Sequence, residues 1–117
     1  MDRINEYRQI VCEFLEDLAT DDPEAQLVFD RDRDRYLVIH NGWRGEYRIY
    51  GCAMQLDIIE GQIWLQHNST EIFIDRELID RGVSCKDIVL GFRSPSIRQH
   101  LVAALESYAN KNRSSTP

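Results

Sequence analysis

The strongest constraint on the fold is a stretch at residues 24–67 in which apolar and polar residues alternate, broken only by short turns. Alternation with a period of two marks half-buried strands. Parallel neighbours need a connection of a dozen residues or more, so strands joined by turns this short pair antiparallel. Ala25, Leu27 and Phe29 alternate with Gln26, Val28 and Asp30, and the polar RDRD at 31–34 turns the chain. A second strand covers 36–41 and is interrupted by GWRG. The third, 47–58, has Gly51 inside it, and Gly61 sits in the next turn. The fourth, 62–67, carries Ile63 and Leu65 on one face. The expectation is a four-stranded antiparallel meander.

A sheet with one apolar face needs a cover, and helical periodicity on either side supplies it. Ile4, Tyr7, Val11, Phe14, Leu15 and Leu18 recur at three- and four-residue steps, which places them on one stripe. Asp2 is the expected N-cap, and DDP at 21–23 stops the helix. After the strands, Asn68 and Glu71 have the spacing of a capping box. They introduce a helix built on Ile72, Leu78 and Ile79, starting between Ser69 and Asp75 and closed by Gly82 at C′. Ser84 and Asp87 are read as caps of a short turn before IVLGF. Ser94 caps a last helix with Pro95 at its first position, where the missing N–H costs nothing, and Ile97, Leu101, Leu105 and Tyr108 form its stripe. The tail from about 111 to 117 has no apolar residue and is expected to fray. The chain thus reads as a single α+β domain over 1–117: an N-terminal helix on a four-stranded meander, then one short helix and a C-terminal helix.

Charge narrows the function. Twenty acidic against fourteen basic residues leave a net charge of −6. DNA-binding surfaces need cations to displace counterions from phosphate, so direct binding to a duplex is not expected. Arg31, Arg33 and Arg35 do not alter that, because Asp30, Asp32 and Asp34 interleave with them. Cys12, Cys52 and Cys85 are too far apart for a zinc motif and read as thiols in a reducing cytosol. His40, His67 and His100 show no i,i+4 pair for a metal. The start lacks an apolar signal core and no run reaches the roughly 18 apolar residues of a membrane span. A cytoplasmic, soluble protein without cofactor or membrane contact is the expectation. A nucleophilic Cys52 with His40 or His67 is discounted, because alternation sets Cys52 on the same strand face as Tyr50, Met54 and Leu56. No residue pattern selects an enzyme.

The densest chemistry is HNGWRGEYRIYG at 40–51. Structurally, Gly42 and Gly45 bracket a turn that needs positive φ, Trp43 caps one edge of the sheet, and Gly51 marks a bulge or a close approach by another backbone. Functionally, Trp43, Tyr47 and Tyr50 are candidate partner anchors, with Arg44 and Arg48 as a polar rim, since these residue types dominate interface hot spots. Trp64 can join them if its strand pairs beside 47–58, but can equally lie in the core.

The order YGCAMQLDI, GQIWLQHNSTEI and GV…KDIVLGF, together with HNGWRGEYRIYG and the opening YRQIV, resembles the XisI family of fdxN-element excision controlling factors. The resemblance runs from about residue 7 to residue 92 and departs in the C-terminal part, which is longer and more helical. It implies a small α+β domain from the cyanobacterial setting of DNA rearrangement in heterocyst differentiation. It further implies an accessory role without cleavage chemistry, exercised with an XisH-type companion. A recombinase complex on DNA is then met only through that partner, and a homo-oligomer is compatible with the same reading. Two rival readings stay open from the residues: a DNA-contacting accessory factor, and a ligand-binding or enzymatic domain with a pocket near His40, Cys52 and His67.

Overall fold

The computed structural model describes the backbone of residues 3–114 and the side chains of residues 3–111. Along the chain run α1 (Arg3–Ala19), β1 (Ala25–Asp30), β2 (Arg35–Arg44), β3 (Tyr47–Ile59), β4 (Gln62–Asn68), α2 (Ile74–Asp80), a 3₁₀ turn (Cys85–Asp87), β5 (Ile88–Val89) and α3 (Pro95–Ser114). The sheet has the order β1-β2-β3-β4-β5. Its first four strands pair antiparallel with their chain neighbours, as the short turns require. The fifth strand is a correction to the four-stranded expectation. Ile88 and Val89 add to β4 in parallel, and two residues are too few to carry a readable period.

Helix α1 buries Tyr7, Val11, Cys12, Phe14 and Leu15 against one face of the sheet, where Tyr36, Met54, Leu56, Ile63 and Leu65 meet them. Each large apolar side chain so buried contributes about 1.5–3 kcal/mol. Two polar ties fix the helix in place. The Tyr7 hydroxyl donates to Asp87 Oδ2 at 2.6 Å and accepts the Ser84 N–H at 3.4 Å. The Arg8 guanidinium forks onto Asp34, with Nε to Oδ1 at 2.8 Å and Nη2 to Oδ2 at 3.0 Å. The expected N-cap, Asp2, lies outside the described residues.

Helix α2 begins later than the capping-box spacing suggests. Asn68 accepts the Thr70 N–H and donates to the Ile72 carbonyl, which makes a local turn, and Phe73 at the N-cap has no side-chain cap bond. Local bonds of this kind compete with a cap for the same side chain. Ser84 likewise makes no side-chain cap. The other end follows the expectation: Gly82 N–H reaches Ile79 O and Val83 N–H reaches Leu78 O, both at 3.0 Å, the Schellman pattern. Gly82 holds φ 109°, a region costly for any side chain. Gly82→Ala is expected to lose about 1–2 kcal/mol, read as an earlier urea midpoint with an unchanged slope.

Helix α3 is capped as the sequence suggests, with the Ile97 N–H 3.5 Å from Ser94 Oγ. Its stripe is shallower than expected, since Leu105 is buried but Ile97 stays exposed. Tyr108 donates to the Asp80 carboxylate of α2, and the Arg76 guanidinium lies 4.6 Å from the Phe73 ring and 5.0 Å from the Tyr108 ring. The helix continues through Ser114, so residues 111–114 of the expected frayed tail are helical, and 115–117 lie outside the described residues.

Candidate interaction surface

The β2–β3 hairpin outruns its neighbours. Pairing of β1 stops at His40, and pairing of β4 stops at Met54 opposite Asn68. Residues 41–52 therefore form a two-stranded arm. Its turn is the two-residue Gly45–Glu46, with Gly45 at φ 61° and Glu46 in the ordinary region. A glycine with positive φ at the first central position is what a type II′ hairpin turn requires. Gly42 lies outside that turn and has no positive φ, contrary to the expectation that it brackets the turn with Gly45. It sits inside β2 opposite Ile49, where a Cβ would run into the Glu24 carboxylate.

Two bulges decide which side chains share a face. Val38 pairs with Met54 but Ile39 with Cys52, which leaves Ala53 as the extra residue on β3. On β4 the extra residue is Gln66, between the pairs Gln55–His67 and Leu56–Leu65. The bulge on β3 therefore falls at Ala53, two residues beyond Gly51. Gly51 itself pairs regularly with His40. Cross-strand partners lie on the same side of a sheet. Tyr36–Leu56 and Val38–Met54 are on the α1 side, and Ile39–Cys52, Asn41–Tyr50 and Trp43–Arg48 are on the opposite side. Cys52 therefore does not share a face with Met54 and Leu56, contrary to simple alternation.

The same register splits the five candidate anchors into two groups. Trp43, Arg48 and Tyr50 gather on the side away from α1, whereas Arg44 and Tyr47 pair on the α1 side beyond the end of the helix. Arg48 is the centre of the first group. Its guanidinium carbon lies 5.2 Å from the Trp43 ring centroid and 5.4 Å from that of Tyr50. Nη1 donates to the Gly42 carbonyl at 3.1 Å and Nη2 donates to Asn41 Oδ1. Cation–π contacts of this exposed kind stabilise by about 0.5–1 kcal/mol each. Both rings stay open to solvent, Trp43 at 59% and Tyr50 at 65% exposure. Asn41 carries no sequence signal beyond its place beside Gly42. Two arginines against Glu46 also make the arm locally positive on a chain of charge −6.

Trp64 lies elsewhere. It pairs with Asp57 on β3 and Val89 on β5, under the Arg98 guanidinium at 5.2 Å, well away from the arm. The imagined pocket of His40, Cys52 and His67 does not assemble. His40 is on the α1 side with Nε2 3.2 Å from Glu24 Oε1, while Cys52 and His67 face the other way. Burial pushes the Cys52 thiol up from its ordinary value, and Sγ donates to the Met54 carbonyl. A thiol kept protonated is a poor nucleophile. Among the described residues no three His, Cys, Asp or Glu side chains converge in a way that holds a metal ion. No helix among them is long and apolar enough to cross a membrane. The cavities flanking α3, about 290 and 340 Å³, are lined chiefly by α3 and the segments beneath it, including Leu65, Leu90, Leu101 and Leu105.

No curated protein matches the chain. Solved structures do, two of them as follows. The crystal structure of a XisI-like protein from Anabaena variabilis ATCC 29413 is 38% identical, with a TM-score of 0.77 over 85% of this chain and 94% of that one. The crystal structure of the fdxN element excision controlling factor XisI from the same strain is 34% identical, with a TM-score of 0.69 over 83% of this chain and 99% of that one. The family model for the XisI protein matches residues 1–105, so the last turns of α3 extend beyond it. On this match and on the shared fold, the chain belongs to the XisI family.

Proposed function

We propose that this protein is an accessory controlling factor of programmed DNA element excision, without catalysis of its own, and that it works by binding an XisH-type companion. Family membership and the likeness to the Anabaena variabilis excision controlling factor support the process. The observation that carries the binding mode is the Trp43–Arg48–Tyr50 stack. Its arginine is already held by Gly42 and Asn41, so docking costs little side-chain entropy, and its two rings are the apolar area a partner covers. Action without catalysis is supported by the description of the similar Anabaena variabilis protein as a controlling factor.

The test is affinity for the purified companion. Trp43→Ala is expected to weaken binding by about 30-fold or more, the loss typical of an aromatic hot spot, with the circular dichroism spectrum unchanged. Failure of the two proteins to associate at micromolar concentration, or equal affinity of the variant, overturns the reading. A gel shift whose affinity falls steeply with salt would replace it with the DNA-contacting alternative.

A further inference from the structure

The arm has one capped edge and one open edge. On the β2 side, the Glu24 carbonyl takes the Asn41 N–H at 2.9 Å and its carboxylate takes the Trp43 N–H at 3.3 Å. On the β3 side, the first bond beyond the hairpin is Ser69 N–H to Ala53 O at 2.9 Å. From 47 to 52 nothing among the described residues pairs with that edge. The two-residue turn makes Arg44–Tyr47 a hydrogen-bonded pair, and such pairs alternate along the ladder. Tyr47, Ile49 and Gly51 therefore spend their backbone groups on β2, while Arg48, Tyr50 and Cys52 point theirs outward. Unpaired edges are normally blunted by proline, lysine or a bulge. Along 47–52 this edge has only Arg48, whose charge is folded back over its own Trp43 and Tyr50, and the bulge at Ala53 comes where β4 takes the edge over.

We infer that the open β3 edge pairs antiparallel with the same edge of a second copy of this chain, with Ile49 on the twofold axis. Three features of the edge agree with this occupant and register. First, the hydrogen-bonding parity fits. With Ile49 opposite its copy as a non-bonded pair, Arg48 faces Tyr50 of the other copy and both present outward N–H and C=O groups. Second, the side chains complement each other. Gly51 has no atom within 4 Å of where a Cβ would stand, and Tyr47, 79% exposed, comes opposite it, so each ring covers the other copy's glycine. Ile49, 37% exposed, gains an identical apolar neighbour, and each Arg48 gains a second tyrosine ring. An axis one turn position earlier, at Arg48, would set like charges opposite each other. Third, the lengths match. The other copy's turn residue Glu46 ends opposite Cys52, just before β4 takes over the edge at Ala53 and Met54. The two sheets become one, and Trp43, on the far strand of the hairpin, stays clear of the seam.

The experiment measures mass by light scattering on the full chain, with covalent trapping as the second readout. The wild type is expected to run at twice 13.7 kDa at tens of micromolar. Ile49→Asp is expected to run at the single-chain mass with an unchanged circular dichroism spectrum, because Ile49 lies outside the core. In a background carrying Cys52→Ser and Cys85→Ser, Ile49→Cys is expected to form a disulfide-linked dimer on mild oxidation, since non-bonded antiparallel pairs place Cα atoms about 4.5 Å apart. Tyr47→Cys in that background is expected to stay unlinked. A monomeric wild type, a dimer indifferent to Ile49→Asp, or linkage at Tyr47 equal to that at Ile49 overturns the proposal. Companion binding is scored separately with Trp43→Ala, which is expected to leave the dimer mass unchanged, so either idea can fail alone.

Discussion

Phe14→Ala is expected to remove about 3–5 kcal/mol of stability, the usual loss for a buried phenylalanine when the cavity does not collapse. Phe14 is 1% exposed in the seam between α1 and the sheet. Its ring also carries the Arg81 guanidinium at 5.2 Å, so the change loosens the end of α2 as well. Domains of this size have only about 5–15 kcal/mol in total. The urea midpoint is therefore expected to fall by about 2 M at the slopes typical of small proteins. A loss below 1 kcal/mol would mean that α1 is not packed as described. The alternating strands have no other cover for their buried face among the described elements near β1 and β2, which is why one side chain of the helix matters this much.

The second large effect falls on Asp34. This residue turns the chain between β1 and β2 at φ 55°, and its carboxylate accepts from Arg8 twice and from the Tyr36 hydroxyl at 2.8 Å. Tyr36 is fully buried, so Asp34→Ala deprives a buried hydroxyl of its acceptor, breaks the fork from α1 and leaves alanine in the left-handed region. About 2–4 kcal/mol is expected to be lost, discounted because Arg8 is partly exposed. Asp34→Asn keeps the backbone tolerance and one acceptor, and is expected to lose less.

Stability should depend on pH, and these two residues contribute at opposite ends. The hydrogen bonds from Arg8, aided by Tyr36, hold the Asp34 carboxyl below its usual range against the opposing effect of burial. A depressed acid binds fewer protons folded than unfolded. Its contribution is thus complete above the unfolded value of about 4 and is lost as pH falls through the lowered folded value. Tyr36 acts at the other end, because burial and then the bond to Asp34 raise its hydroxyl above the ordinary value. The folded state keeps that proton longer, so stability is lost as pH rises beyond about 10. Urea midpoints of the wild type are expected to decline on both limbs. Asp34→Asn should make the acid limb shallower and Tyr36→Phe the alkaline one, to which the raised Tyr7 hydroxyl still contributes.

Much of this architecture is legible from periodicity. Helix α1, the Gly82 terminus and the Ser94–Pro95 start rest on interactions within a few residues, and the antiparallel order of four strands follows from the shortness of their turns, so a local pattern records them. β5 is not legible, because Ile88 and Val89 are strand only by virtue of lying beside Ile63 and Trp64. The Arg8–Asp34 fork is equally silent, since 26 positions separate its members. The capping-box spacing at Asn68 and Glu71 misleads for the opposite reason, because the asparagine finds a nearer partner in Thr70.

The candidate surface shows where the division lies. Sequence by itself determined that residues 40–51 carry aromatics, arginines and glycines on a hairpin, and that the chain around them is acidic. Only the tertiary structure decided which of those side chains meet. An extra residue at Ala53 shifts the pairing by one, and in a strand a shift of one carries every later side chain to the other face. That step parts His40 from Cys52, whereas the two-residue turn sets Trp43 opposite Arg48 and leaves Arg44 and Tyr47 on the other face. Alternation along one strand cannot reveal it, because register belongs to the pair of strands and not to either one alone.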